Sequence, residues 1–254
     1  MEFTYKDYEK SLYQALDNNH SVLSSMLFVN LIRHNDLPEK FIILRHDCER
    51  DLSKAYKMAK IENKLGIQSS FFIRLHSEWY NLSQPEAYKY LEKISNLGHE
   101  IGLHYEPKFY RDINCEFIEG IKNDIKFLNN FFEIKSISAH QPLLHPPNKE
   151  DFDSLELIDM YTSPYLKNIP YYSDSGMNFR EYSLEDVISN KINCQFLIHP
   201  DFWNNSSMSW HENYKLLVEQ EIGKLRNFEK YELQMYENYI KTRKDKDKLF
   251  FIEK

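Results

Sequence analysis

The sequence has 254 residues with a formal net charge of −7 at pH 7, and 42% of them are hydrophobic. This length suits one large domain or two small ones, and the apolar content is enough for a packed core, which excludes a disordered chain. The acidic balance and the lack of a basic patch exclude nucleic acid as the expected partner.

Apolar periodicity, with Pro and Gly at segment ends, predicts five helices and five strands. The helices are expected at 5–17, 52–66, 85–98, 115–132 and 212–243. The strands are expected at 41–47, 67–75, 99–104, 135–140 and 194–199. Strands and helices alternate between residues 41 and 140, which is typical of a parallel sheet or a β/α barrel.

The remaining organisation is simple. Residues 141–193 have weak periodicity, so loops and short strands are expected there. No internal repeat and no linker rich in Gly, Ser or Pro is present. We therefore expect one domain over 1–254, with a helical tail at about 209–243.

Several sequence features bear on cofactors and compartment. The six glycines form no nucleotide-binding pattern, so no nucleotide cofactor is expected. Cys48, Cys115 and Cys194 lack CxxC spacing, which disfavours disulfides and a thiolate zinc site. The opening MEFTYKDYEK lacks the apolar core of a signal peptide, and no run of about 18 apolar residues is present. We expect a cytoplasmic protein without a membrane span.

Four predicted strands lead into side chains that can bind metals. The segment FIILR is followed by His46, Asp47 and Glu49, and HEIGL is followed by His104 and Glu106. The segments KSISA and CQFLI are followed by His140 and His199, respectively. The carboxyl ends of parallel strands meet on one face of such a fold, so these side chains are expected in one pocket. Neutral imidazoles together with carboxylates suit a divalent metal such as zinc.

Two nearby polar residues have local explanations. Asp51 stands just before a predicted helix and is interpreted as its N-cap. His99 precedes its strand, which places it at the opposite end from His104, so we expect it to have a structural role.

Five segments resemble the motifs of polysaccharide deacetylase-like proteins, the NodB-homology (carbohydrate esterase) superfamily. They are ILRHDCERDLSKAYKMA, LGHEIGLHYE, SISAHQP, YYSDSGMNF and FLIHPDFW, and their order and spacing agree over roughly residues 40–205. The first is similar to the divergent RHDVD-type branch, and GHEIGLH is the most specific piece. The resemblance implies a distorted (β/α) barrel, a divalent metal, commonly zinc, and removal of acyl groups from sugar amides or esters.

The same resemblance implies roles for individual residues. Asp47 matches the general base, and His104 matches the first metal histidine. His199 matches the general acid, and Asp174 resembles the acid that orients a catalytic partner.

The sequence departs from the usual motifs at the metal. Typical members have two adjacent aspartates in the first motif, whereas Cys48 and Glu49 follow Asp47 here. The metal carboxylate is therefore Glu49 or Asp47 itself. Lys108 stands where a second metal histidine is usual, which leaves Glu106 or His140 to supply that ligand. His140 also replaces the arginine of the third motif.

These features predict a metal-dependent carbohydrate N-deacetylase. Trp203 and Tyr105 are candidates for stacking on a sugar ring, although packing in the core explains each equally well. Phe202 and Tyr172 lie near proposed site residues as well. A cytoplasmic enzyme does not reach assembled cell-wall polymer, so the expected substrate is a small-molecule or lipid-linked sugar precursor. The expected acyl group is acetyl, and removal of a formyl or another acyl group, or opening of a cyclic amide, are the alternatives within the hydrolases.

Two alternatives are kept. Lys108 and Cys48 favour a barrel that lost its metal and binds a sugar or a protein, whereas the retention of Asp47, His104, His140 and His199 together favours the hydrolase. The helical tail is expected to pack on the barrel, with dimer formation as its alternative role. The sequence predicts no oligomeric state.

Overall fold

The structure is a computed structural model that describes residues 1–143, 152 and 155–246. Contacts between residues divide the chain into two compact units, Met1–Trp210 and His211–Lys254. The first unit contains the motif core expected at 40–205. The expected domain range of 1–254 extends beyond the described residues.

The first unit is built on a parallel sheet. Its strands are β1 (Ser21–Leu23), β2 (Phe41–Cys48), β3 (Ser70–Ile73), β4 (Glu100–Tyr105), β5 (Ser136–Ala139), β6 (Ile158–Asp159), β7 (Tyr171–Ser173) and β8 (Cys194–Ile198). Their order is β6-β5-β4-β3-β2-β8-β7, with β1 beside the start of β2. The sheet curls into a half-barrel whose ends, among the described strands, are β6 and β7. The predicted α/β barrel fold with parallel strands is confirmed.

The helices are α1 (Tyr5–Asp17), α2 (Ser25–Arg33), α3 (Leu52–Lys64), α4 (Pro85–Asn96), α5 (Pro107–Asp112), α6 (Phe117–Leu128), α7 (Leu184–Ser189) and α8 (Trp210–Lys246). The five predicted helices are confirmed, with some ends displaced by a few residues. Asp51 caps α3 by accepting a hydrogen bond from the Ser53 backbone N–H at 2.9 Å, which confirms its predicted role. Within the described chain, no helix is apolar enough over a sufficient length to cross a membrane.

The elements missed from the sequence are short. β1 and α2 follow each other within residues 21–33, and α5 covers only six residues, so none shows a long periodic pattern. Within 141–193, of which 144–151, 153 and 154 lie outside the described residues, the structure contains β6, β7 and α7. The short strands expected there are confirmed, and α7 is an addition. It begins at a capping box formed by Ser183 and Asp186.

Alternation of side chains along β2 separates the interior of the half-barrel from its helix-covered outside. Ile42 and Leu44 pack with residues of the helices, whereas Ile43 packs in the interior. Successive side chains of a strand point to opposite faces. Asp47 therefore shares the interior face with Ile43, while His46 faces outward.

The outward orientation of His46 removes it from the metal-binding group expected at the strand ends. Its Nε2 lies 2.8 Å from the Glu62 carboxylate on α3. Glu62 also accepts hydrogen bonds from Tyr8 and Ser69 and lies beside His99, whose ring contacts the Ala59 carbonyl. His99 thus belongs to a buried network behind the sheet, as its predicted structural role requires.

A close approach of β4 to β3 constrains the position of the predicted metal histidine. A Cβ atom at Gly102 would lie 2.6 Å from ring carbons of Phe72 and 3.0 Å from the Ser136 carbonyl oxygen. Both neighbours are fully buried, so neither side chain nor backbone has space to yield. Glycine at this position lets β4 hold His104 two residues further on.

We expect Gly102→Ala to lower the free energy of unfolding by about 1–3 kcal/mol, because it overpacks the interior. Urea denaturation followed by fluorescence measures this difference. Gly223→Ala is the control, since a Cβ there meets no atom within 4 Å and alanine favours the helix. Equal stability of Gly102→Ala and the wild-type protein would contradict the close approach.

Candidate active site

Three side chains at the carboxyl ends of β2, β4 and β5 form a candidate metal centre. Glu49, His104 and His140 each offer one ligand atom, and these atoms lie within 4.8 Å of one another. The Glu49 Oε1 atom is 3.6 Å from His140 Nε2. Two ligands at about 2.1 Å from zinc in tetrahedral geometry stand roughly 3.4 Å apart, so this spacing suits one shared cation.

The ring of His104 is held in an orientation that suits a metal ligand. Its Nδ1 atom lies 3.0 Å from the Ser138 carbonyl oxygen on the neighbouring strand β5. A carbonyl accepts a hydrogen bond, so Nδ1 carries the proton and Nε2 keeps its lone pair. Nε2 is therefore the atom available to a cation.

The protonation states of Glu49 and His140 also suit a cation. Burial raises the pKa of Glu49, but His199 and Arg50 outweigh it and lower the value to about 2. Burial, together with His104 and Arg74, lowers the pKa of His140 to about 3. At neutral pH the carboxylate is charged and the imidazole is neutral, which are the forms that bind metals. The donor set fits a divalent cation.

Glu106 does not join this group, although the sequence suggested it as a ligand. Its carboxylate accepts hydrogen bonds from both Nε and a terminal nitrogen of Arg74, the former at 2.8 Å. The backbone N–H of His76 donates to the other oxygen at 2.9 Å. Because both oxygens are engaged by the segment after β3, Glu106 is an ion-pair partner, whereas His140 lies in the candidate centre.

Asp47 lies beside the candidate centre, and its carboxylate is fixed by a side chain in the interior of the half-barrel. Its Oδ2 accepts a hydrogen bond from Arg45 at 3.2 Å and lies 3.7 Å from His104 Nε2. Its Oδ1 is buried and has no hydrogen-bond partner in the described part of the chain. One carboxylate oxygen is therefore fixed, while the other is left to receive a proton.

Arg45 is a residue that the sequence analysis missed. It is fully buried and donates to Gln195 at 3.0 Å and to the Tyr161 hydroxyl at 2.7 Å, besides Asp47. A signal was present, because residues i and i+2 of a strand share a face and Arg45 precedes Asp47 by two. A guanidinium on the same strand face as a carboxylate can orient it by hydrogen bonding.

On the opposite side of the centre, His199 is bound to Asp174. The His199 Nδ1 lies 2.7 Å from Asp174 Oδ1, and the carboxylate also accepts the His199 backbone N–H at 3.0 Å. The Nε2 atom lies 3.9 Å from Glu49 Oε1. Asp174 thus fixes the ring so that Nε2 faces the candidate metal ligands, an arrangement suited to the orienting role that the resemblance implied.

Trp203 and Tyr105, suggested as sugar-binding residues, are both fully buried. The Trp203 indole N–H donates to Asp174 at 2.9 Å, and its ring packs 5.2 Å from Tyr8. Tyr105 follows the interior-facing His104 on β4, so it faces the helices, where its hydroxyl donates to Asp159 at 3.1 Å. Both predictions are wrong, because neither ring is accessible to a substrate.

Tyr171 is a partly exposed aromatic residue near the Arg45–Asp47 pair. Its side chain is 41% exposed, and its ring lies 6.1 Å from Tyr161, which binds Arg45. The Arg45 guanidinium carbon lies 5.6 Å from the Tyr171 ring centre. The sequence did not single out Tyr171 or Tyr161, because both fall in the weakly periodic region 141–193.

Comparisons with known proteins add little at the sequence level. No protein-family model and no curated protein matches the sequence. Among solved structures, a chitin deacetylase from the fungal pathogen Colletotrichum lindemuthianum matches 71% of this chain and 81% of its own, with 13% identity and a TM-score of 0.42. A family 4 carbohydrate esterase from Bacillus anthracis matches 78% and 86%, with 14% identity and a TM-score of 0.38. Both TM-scores lie below 0.5, so what the site can do has to be judged from its own side chains.

We expect Glu49→Gln and His140→Ala each to weaken zinc binding at least about tenfold, because each removes a ligand. Calorimetric titration of the metal-free protein with zinc measures this effect. Glu106→Gln is the matched comparison and should bind zinc as the wild-type protein does, with circular dichroism to verify its fold. If folded Glu106→Gln lost zinc binding while His140→Ala kept it, Glu106 and not His140 would be the ligand.

Proposed function

We propose that this chain is a metal-dependent amide hydrolase of the polysaccharide deacetylase-like superfamily, which removes an acetyl group from an N-acetylated sugar. The observation that carries the proposal is the placement of two proton-transfer groups around one ligand group. Asp47 lies 3.7 Å from the ligand His104, and His199 lies 3.9 Å from the ligand Glu49. Amide hydrolysis needs such a pair, because water must lose a proton and the amine must gain one.

A divalent cation held by Glu49, His104 and His140 would supply Lewis acidity toward the acyl carbonyl and the attacking water. The protein's own groups move the protons. Asp47 accepts the proton of the water at Oδ1, the oxygen that Arg45 leaves free.

His199 is suited to donate a proton to the departing amine. Burial alone would lower its pKa, but Asp174, Glu49 and Asp47 outweigh that effect and raise it to about 9. In the metal-free protein its ring is therefore protonated at neutral pH. Because Asp174 holds Nδ1, the proton to be transferred is the one on Nε2.

A sugar is the preferred acyl carrier because of the aromatic surface beside the site. Tyr171 presents a partly exposed ring next to the Arg45–Asp47 pair. Aromatic faces pack against the C–H groups of sugar rings and bury apolar surface in doing so. The fungal chitin deacetylase and the bacterial carbohydrate esterase, by their names, also act on carbohydrates.

The proposal is tested with zinc-loaded protein and a panel of N-acetyl, N-formyl and O-acetyl sugars, followed by release of the free acid. We expect hydrolysis of an N-acetyl sugar by the wild-type protein. Asp47→Asn and His199→Gln should each lower kcat by about 10²- to 10⁴-fold, since each removes one proton transfer. Both variants should still bind zinc, because neither residue is a ligand.

Lys108→Ala is the control for this experiment, because its ammonium group is exposed and paired with Asp112. It should hydrolyse the substrate at the wild-type rate. Failure of the zinc-loaded wild-type protein on the whole panel would contradict the hydrolase and favour a barrel that only binds its ligand.

The pH dependence provides a separate test of His199 as the acid. Its protonated form is the active one, so kcat/KM should fall as the pH rises through the pKa of His199. Asp174→Asn removes the carboxylate that raises this pKa, so the fall should move to lower pH by about one to three pH units. An unchanged basic limb in a folded, zinc-binding Asp174→Asn would argue that another group donates the proton.

A further inference from the structure

The carboxylate of Glu49 presents its two oxygens to different neighbours. Its Oε1 atom lies 3.6 Å from His140 Nε2 and 3.9 Å from His199 Nε2, on the side of the candidate metal centre. Its Oε2 atom lies 2.7 Å from a terminal nitrogen, Nη1, of Arg50, the next residue in the chain. One oxygen therefore belongs to the candidate centre, and the other is engaged in an ion pair outside the ligand group.

Arg50 is itself held by a buried acid in the segment that follows β8. Its Nη1 atom lies 3.5 Å from Asp201 Oδ2, and Asp201 is fully buried. Asp201 Oδ1 accepts a hydrogen bond from the backbone N–H of Asp51 at 2.8 Å. One carboxylate thus contacts both the guanidinium of Arg50 and the backbone that follows it, so the neighbour of Glu49 Oε2 is fixed in place.

The backbone of Glu49 is held by the loop that follows β3. The Tyr80 hydroxyl donates to the Cys48 carbonyl at 2.7 Å, and the Ser77 hydroxyl donates to the Glu49 carbonyl at 3.0 Å. A glutamate side chain still has several rotatable bonds, and ordering it costs rotamer entropy. Fixing the backbone therefore does not decide how the carboxylate is turned, whereas the ion pair with Arg50 does.

The orientation of this carboxylate decides how many coordination positions it fills. A catalytic zinc site has three protein ligands in tetrahedral geometry and keeps its fourth position open. Glu49, His104 and His140 make three ligands when each uses one atom. A carboxylate can also bind a metal through both oxygens, which would fill the open position. A guanidinium paired with one oxygen opposes this, because it competes with the metal for that oxygen.

We propose that Arg50 is a positioning residue that keeps Oε2 of Glu49 away from the metal, so that Glu49 binds through Oε1 alone and the fourth position stays open. This role rests on the metal centre of the proposed function. Without Arg50, Oε2 would become a further ligand, and the charge of Glu49 would lose its neighbouring cation. Both changes would strengthen zinc binding while filling the position that the reaction needs.

Arg50→Met tests this role, because methionine keeps an unbranched side chain but has neither the charge nor the N–H donors. We expect its zinc Kd, from calorimetric titration, to be equal to or lower than that of the wild-type protein. Crystal structures of the zinc-loaded proteins should show Oε1 alone at ligand distance in the wild type and both oxygens in Arg50→Met. The kcat for an N-acetyl sugar should fall about 10- to 100-fold.

Two further variants make the test specific. Arg50→Lys keeps a cation beside Oε2, so its kcat should lie closer to the wild-type value than that of Arg50→Met. Arg111→Met removes an arginine whose side chain is 57% exposed and pairs with Asp112, so its zinc Kd and kcat should both be unchanged. Circular dichroism verifies the fold of each variant.

Three outcomes would overturn this role for Arg50. The first is zinc bound by both oxygens of Glu49 in the wild-type protein. The second is a higher zinc Kd in Arg50→Met with Oε1 still the sole ligand oxygen, which would mean that Arg50 only braces the ligand. The third is an Arg50→Met protein with the wild-type coordination and the wild-type kcat.

Failure of the proposed function has a different signature. A wild-type protein that binds zinc but hydrolyses no sugar would contradict the hydrolase, while the two zinc-loaded structures would still decide the role of Arg50. A wild-type protein that binds no zinc would contradict both.

Discussion

The buried guanidinium of Arg45 is the interaction on which the interior of the half-barrel depends. It has no contact with solvent, so its charge is tolerated because Asp47 balances it and because Gln195 and Tyr161 each accept a further hydrogen bond from its terminal nitrogens. These partners come from β2, from β8 and from the segment after β6. The ion pair thereby joins distant parts of the sheet and fixes the carboxylate that stands beside the candidate metal ligands.

Near this pair, the sheet separates two groups of polar side chains whose members are neighbours in the sequence. His46 and Asp47 are neighbours, yet His46 lies with Glu62 behind the sheet while Asp47 lies with His104 in front. The network behind the sheet holds α3 against β2 and β3. In the group in front, Asp47 Oδ1 has no hydrogen-bond partner among the described residues, and the Nε2 atoms of His140 and His199 lie 3.6 and 3.9 Å from the Glu49 carboxylate. Structural and reactive histidines thus differ by which face of a strand they occupy.

Much of this arrangement could be predicted from the sequence, because it depends on local patterns. Parallel apolar strands that each end in a histidine predicted that His104, His140 and His199 lie close together. Gly and Pro residues at segment ends predicted where the helices between these strands begin and end. The errors had two origins. Tyr105 follows His104 directly, so the alternation of side chains along a strand already predicts that it points away from the interior. Glu106 lies on the same side as His104, but its carboxylate is bound by Arg74. This ion pair joins side chains that are 32 residues apart in the sequence, so no local pattern predicts it.

The altered ligand positions have an electrostatic consequence for the proposed chemistry. Position 48 carries a buried thiol and position 108 an exposed lysine, so in the proposed metal centre the carboxylate would come from Glu49 and the second imidazole from His140, which follows the strand beside His104. Two neutral imidazoles and one carboxylate cancel only one of the two charges of a divalent cation. The remaining positive charge would favour the oxyanion that develops when an amide carbonyl is attacked. A second carboxylate ligand, such as Glu106, would cancel that charge, so the pairing of Glu106 with Arg74 would preserve the charge that the proposed reaction needs.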